Sequence, residues 1–218
     1  PMWRLRHLSL CPIVFQTTDE IWEYRANLER QLDEALADPP PFDWRNALVD
    51  GFVPSFQLSH HGVRSRELKE KFAHLFAPHF PKQRPKPKRR GKIRVGFLCT
   101  QGREGGYLRG YGGLMVRLDR SRFEVVGLVS NSILARCRQA VACDDIRWVG
   151  FPHNLPAALA TIRAVECDVV AHRHAGTDIM NYFLPFLPLA PVQTVGSGMH
   201  GTTGIANIDY GISSQLFE

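Results

Sequence analysis

Nothing in this chain approaches the roughly 18 unbroken apolar residues that a membrane-spanning helix needs, so no span is expected. No cysteine lies in a CxxC or at a Cys/His spacing suited to zinc. The five cysteines (Cys11, Cys99, Cys137, Cys143 and Cys167) are odd in number and scattered, which points to a reducing compartment rather than a disulfide framework. A GK[ST] phosphate loop is also missing. Near the N-terminus, Arg4 and Arg6 precede a short apolar run, Leu8 to Phe15. That run is broken by Ser9, Cys11 and Pro12 and lacks a small-residue cleavage site, so a secretory leader is not expected. Together these absences make the cytoplasm the expected location.

Charge is confined as well. The formal net charge is +6, yet Lys82, Arg84, Lys86, Lys88, Arg89 and Arg90 supply six of the 27 bases, and without them bases and the 21 acids balance. The excess therefore belongs to one stretch, residues 81–91 (PKQRPKPKRRG), which has three prolines and no apolar side chain. Such a stretch has nothing to bury against its ordering entropy and reads as an exposed linker. No aromatic is interleaved for base stacking, so nucleic acid is not the expected partner.

What is present is ordinary globular material, 44% hydrophobic and 22% charged. Residues 1–80 read as a helical segment. Thr17 and Glu20 have capping-box spacing, and Ile21, Tyr24, Leu28, Leu32 and Leu36 mark one face before Pro39–Pro41. Asp43 opens a short helix through Leu48 that stops at Gly51. Ser65 starts another, with Leu68, Phe72, Leu75 and Phe76 on one side. Beyond the linker the period changes. Strand-like runs at Ile93–Cys99, Arg122–Ser130, Ile146–Val149, Asp168–Ala171 and Val192–Val195 alternate with helical ones at Tyr107–Leu118, Ile133–Ala142, Pro156–Glu166 and Asp178–Phe186. Residues 92–218 are thus expected to form an α/β, Rossmann-like, doubly wound parallel sheet, with ligand chemistry at the carboxyl ends of the strands.

Three loops fall there. Thr100–Gly106 (TQGREGG) has the glycines for close approach to an anion, or is simply a β–α turn. His172–Asp178 (HRHAGTD) offers two histidines and an arginine for phosphate or acid–base work, with Thr177 or Asp178 capping the next helix. Arg173 between the histidines disfavours a metal. In Gly196–Gly201 the GxGxxG pattern precedes TTGIANIDY, which does not open a helix, so the dinucleotide match is attributed to chance. His200, Thr202 and Thr203 are its polar groups, and Asp209 is favoured as a structural hydrogen-bonding residue.

KIRVGFLCT, LDRSRFEVVGLVS and LPLAPVQTVGSGMHGTTGIANIDYGISS, in this order over residues 91–214, resemble the catalytic core of the O-linked N-acetylglucosamine transferases, the SPINDLY-like glycosyltransferases. The resemblance implies the N-terminal lobe of a two-lobed GT-B enzyme. Its implied partners are a UDP-sugar donor, UDP-N-acetylglucosamine, and a hydroxyl acceptor, with no metal or other cofactor. It implies a cleft wall containing Arg103, Glu104, His174, Thr177, His200, Thr202 and Thr203. Arg103 stands where the family carries a histidine, so a base role is lost while an anion-binding role remains. His200 stands in a proline position of the family motif, and the family's GHT-like element appears as Ala175–Thr177. The resemblance also implies a donor-binding C-terminal lobe that these 218 residues do not include. The expectation is a lobe inactive alone and prone to self-associate through its uncovered cleft face. The alternative is a non-catalytic interaction domain derived from the same fold.

Overall fold

The computed structural model describes residues 2–50, 53–88, 91–196 and 202–213. Gly51, Arg89, Arg90 and His200, each singled out by the sequence, lie outside them.

Six parallel strands form one sheet: β1 (Ile93–Cys99), β2 (Phe123–Ser130), β3 (Arg147–Phe151), β4 (Val169–His172), β5 (Val192–Gly196) and β6 (Tyr210–Ile212). Their spatial order is β3-β2-β1-β4-β5-β6. This is the classic doubly wound order, with the switch of winding between β1 and β4. The apolar runs of β1 and β2 follow from burial on both faces. On one face, Phe97, Cys99, Val125 and Val129 pack against Tyr107, Tyr111, Met115 and Cys137. On the other, Leu98, Val126, Leu128 and Val170 join Leu155, Ala158 and Ile162.

The N-terminal helices α1 (Met2–Leu8), α2 (Thr18–Ala37), α3 (Ala47–Asp50) and α4 (Arg66–Phe76) share that second core. Thr17 caps α2 by accepting from the Glu20 amide at 3.3 Å, while Glu20 reaches back to the Gln16 amide at 2.9 Å. Lys71 ties α4 to Glu29 and Asp33 of α2. Aromatic rings join the helical segment to the sheet: Phe80 stacks on Phe186 at 4.9 Å, and Phe76 meets Phe183 edge-on at 5.3 Å. Among the described residues no helix is long and apolar enough to cross a membrane.

The first helix beyond β1 starts at Glu104, not Tyr107. It runs as α5 (Glu104–Tyr107), a π turn (Leu108–Gly112) and α6 (Gly113–Arg117). Then follow α7 (Leu134–Val141), α8 (Leu155–Val165) capped by Asn154, and α9 (Ile179–Phe183) capped by Asp178. β6, a three-residue exposed strand at the sheet edge, has no apolar alternation to announce it.

The stretch read as a linker is exposed at Lys82, Gln83, Lys86, Pro87 and Lys88. Arg84 is different. Its guanidinium donates to both Asp209 oxygens at 2.8 Å, to the Pro191 carbonyl at 3.1 Å and to the Asn207 carbonyl at 3.0 Å. Asp209 also accepts from the Gln193 amide at 2.8 Å, and its own amide donates to the Gln193 carbonyl at 2.8 Å. Asp209 is thus the structural residue the sequence favoured. Asp209→Ala would strand a guanidinium and a backbone amide, each charge-assisted bond being worth about 1.5–3 kcal/mol. Urea unfolding is expected to show a loss of roughly 2–3 kcal/mol on that scale, and a loss within error would contradict the assignment.

Candidate functional site

Two loops meet at the β1/β4 switch point, Thr100–Arg103 and Arg173–Asp178. Gly102, at φ +80°, turns the chain out of β1, and Arg103 then points back across the gap. Its Nε donates to Asp178 Oδ2 at 3.0 Å and its Nη2 to the Thr177 carbonyl at 2.8 Å. Asp178 does two jobs, because Oδ1 also accepts from the Asn181 amide at the start of α9. The Asn181 side-chain amide then bridges Thr100 Oγ1 at 2.5 Å and Asp178 Oδ2 at 2.6 Å. The two loops are therefore cross-linked by one polar network.

His174 sits beside this network, half-buried. A Cβ on Gly106 would overlap its ring, and one on Gly110 would overlap the Arg173 guanidinium. The glycines of the first loop and helix thus make room for the basic side chains of the second. Burial first, and then the Arg173 and Arg103 charges, push His174 down to about 4, with Asp178 opposing. At neutral pH it is an uncharged imidazole under the influence of two guanidinium groups, able to accept a hydrogen bond from a ligand hydroxyl but a weak base.

His172, the other histidine of the motif, does not reach this space. It is fully buried, and Nε2 lies 3.1 Å from Gln193 Oε1. Gln193 Nε2 faces the carbonyls of Pro185, Leu187 and Asn207, which fixes the amide orientation. Oε1 can only accept, so the proton must reside on His172 Nε2. The opposite nitrogen, Nδ1, has no partner. Desolvation holds this histidine at about 4 as well.

The sequence-predicted residues divide into groups. Arg103, His174 and Thr177 come together, with Thr177 Oγ1 donating to the His174 carbonyl at 2.9 Å. Glu104 turns away: it is buried beneath α7, its carboxylate 3.8 Å from Arg136. Thr202 and Thr203 stand across the Ala175–Thr177 loop, lining a narrow slot with Lys69 of α4 and Tyr182 of α9. Gly204, at φ +72°, holds them there, because a Cβ would come within 2.6 Å of the Lys69 backbone. Sequence reasoning missed Asn181 and Lys69. A signal for Lys69 existed, since it shares a helical face with Phe72 and Phe76. A broader groove runs the length of α7, from Leu134 at its start, just beyond β2, to Ile146, the residue before β3.

No protein family and no curated protein matches the sequence. Among solved structures the chain is similar to a mutant of the Thermobaculum terrenum O-GlcNAc transferase, at 18% identity and a TM-score of 0.55. The match covers 87% of this chain and 37% of that one, so the chain spans little more than a third of its neighbour's length. At this identity the likeness is one of fold. The class is thus a Rossmann-like α/β lobe preceded by helices, of the kind found in an O-GlcNAc transferase.

Both histidines sit at about 4 in the folded chain against an ordinary 6.5. A depressed folded value contributes stability that is fully present above 6.5 and lost as pH falls through 4. For buried His172 the full effect is on the order of 3 kcal/mol. The melting temperature is expected to fall between pH 6.5 and 4, and to fall less in His172→Asn. An identical decline in that variant would show that His172 is not the buried neutral group.

Proposed function

We infer that this chain is the N-terminal lobe of a nucleotide-sugar-dependent glycosyltransferase. It would form one wall of a cleft in which sugar passes from a UDP-sugar, UDP-N-acetylglucosamine being the donor tested, to an acceptor hydroxyl. The observation that carries this reading is the cross-linked pair of loops at the switch point, where a doubly wound sheet binds its ligands. The likeness of fold to an O-GlcNAc transferase supports it, as do the APVQ, GTTG and IDY elements.

Within the site, neutral His174 faces the gap as the hydrogen-bond acceptor for a ligand hydroxyl. Arg103 serves as a cross-strut rather than a base: it stays protonated, and Asp178 already balances its charge. A ligand phosphate would have to compete with that carboxylate for the guanidinium. Thr202 and Thr203 belong to the wall on the far side of the second loop, and Glu104 supports the first loop from below. Diphosphate binding and transfer then require the partner lobe of the two-lobed architecture, so the 218 residues alone are proposed to be inactive. The reading as a non-catalytic interaction domain is favoured by one observation, the capture of Arg103 by Asp178 and Thr177. Association between copies remains a proposal. Among the described residues the exposed large apolar side chains are Leu10, Ile13, Val14, Trp22 and Val49 in the helical segment, Ile93 at the start of β1, Leu114 and Val116 on α6, and Tyr210 and Ile212 on the edge strand β6, Ile212 at its carboxyl end.

The test is an amide NMR titration of the chain with UDP-N-acetylglucosamine beside a transfer assay on hydroxyl acceptors. The reading expects shifts clustered at Thr100–Glu104 and Arg173–Asp178, weakened by His174→Ala, and no sugar transferred. Absence of shifts there would favour the interaction domain, and measurable transfer would refute the need for a second lobe.

A further inference from the structure

The polar side chains that line the slot beside the second loop, Ser55, Lys69, Tyr182, Thr202 and Thr203, each carry a proton to donate, and none is acidic. Lys69 is only 8% exposed, and its ammonium donates to Ser59 Oγ at 2.7 Å. Among the described residues no carboxylate pairs with it. Burial pulls its pKa below the ordinary lysine value, with no opposing charge to hold it up. Tyr182, 3% exposed, contributes a buried hydroxyl without any partner. Among the described residues, three more hydroxyls are used only as acceptors. Ser55 Oγ receives the Gln57 amide at 3.2 Å, Thr202 Oγ1 the Gly204 amide at 3.1 Å, and Thr203 Oγ1 the Ile205 amide at 3.2 Å. Each therefore keeps its own O–H free to donate.

A buried cation without a counter-charge and a buried hydroxyl without an acceptor are both costly. A ligand that supplies negative acceptor oxygens would relieve both at once. The slot holds one cation and no arginine fork, which matches a monoanion better than a phosphate dianion. Its interior volume is only about 20 Å³, within about 340 Å³ that include the open mouth, so it admits one small terminal group and not a nucleotide.

We propose that the slot between α4, α9 and the Thr202–Thr203 loop is a carboxylate-binding site, with Lys69 and Tyr182 as its buried donors and the Ser55, Thr202 and Thr203 hydroxyls at its mouth. The carboxylate can come from a free small acid or from an acidic side chain of a larger molecule, since both present the same two oxygens. This binding does not rest on the transferase reading, although the slot lies only one loop away from Arg103 and His174.

Sodium acetate, titrated against sodium chloride at constant ionic strength, is the probe, with the amides of Gly176 and Thr203 as reporters. Saturable shifts are expected with acetate and not with chloride. Lys69→Met is expected to weaken acetate at least about tenfold, equivalent to one lost charge-assisted bond. Tyr182→Phe removes only the unpartnered oxygen and keeps the ring in the core. It is expected to weaken acetate about three- to tenfold, which keeps the test decisive if Lys69→Met does not fold. A short Glu-containing peptide that competes with acetate would identify a side-chain source, and one that does not would leave free acids as the source. Unsaturable shifts, acetate binding unchanged in Tyr182→Phe, or tighter binding of inorganic phosphate than of acetate would overturn the assignment. Shifts caused by UDP-N-acetylglucosamine at Thr100–Glu104 are expected to survive Tyr182→Phe, so the two readings fail separately.

Discussion

Gln193 and Asp209 hold the carboxyl half of the sheet together. The Gln193 backbone gives its amide to the Asp209 carboxylate and takes the Asp209 amide on its carbonyl. Its side chain spans the carbonyls of Pro185, Leu187 and Asn207 on one end and His172 on the other. Asn207 adds a bond to the Phe186 carbonyl at 2.6 Å, and Arg84 closes the cluster from the opposite side. Gln193 and His172 are buried and Arg84 and Asn207 partly so, and removing any one leaves its neighbours without partners. The register of β6, the path of residues 84–88 and the seat of β4 all follow from this cluster.

The carboxyl edge of the sheet rests on that cluster. β4 delivers His172 inward to Gln193, so the next odd-numbered position, Arg173, and then His174 emerge at the strand end. There the Arg103–Asp178–Asn181–Thr100 network ties them to β1. Across the same loop, Gly204 brings the Thr202–Thr203 segment against the backbone of α4. The helical segment therefore packs onto the loops of the sheet: its Lys69 lines a slot with Ala175, Gly176, Thr202 and Thr203.

Much of the fold was legible in the sequence because it is written in local signals. Strand-like runs of four to nine residues marked the first five strands, Thr17 and Asn154 cap their helices as the spacing predicts, and of the two candidates Thr177 and Asp178 it is Asp178 that caps α9. β6 was not legible, because Tyr210–Ile212 forms only through pairing to β5 and through Asp209. Arg84 was hidden for a related reason: in a run of bases nothing local separates the one with a fixed carboxylate partner from the others. At the site, residue types were readable but directions were not. Arg103 and Glu104 are adjacent in sequence, yet one crosses to β4 and the other turns under α7. The slot was the least visible feature, since its donors come from Ser55, Lys69, Tyr182 and Thr203, scattered over nearly 150 positions.

The central claim is that ligand chemistry belongs to the strand carboxyl edge around His174, with Gln193 and Asp209 acting only as its frame. The most direct test is photocrosslinking with a UDP-sugar that carries a photoreactive group on the sugar, mapped by mass spectrometry. Adducts within Thr100–Glu104, Arg173–Asp178 and Thr202–Thr203 are predicted. Adducts confined to the groove along α7 or to the N-terminal helices would contradict the account.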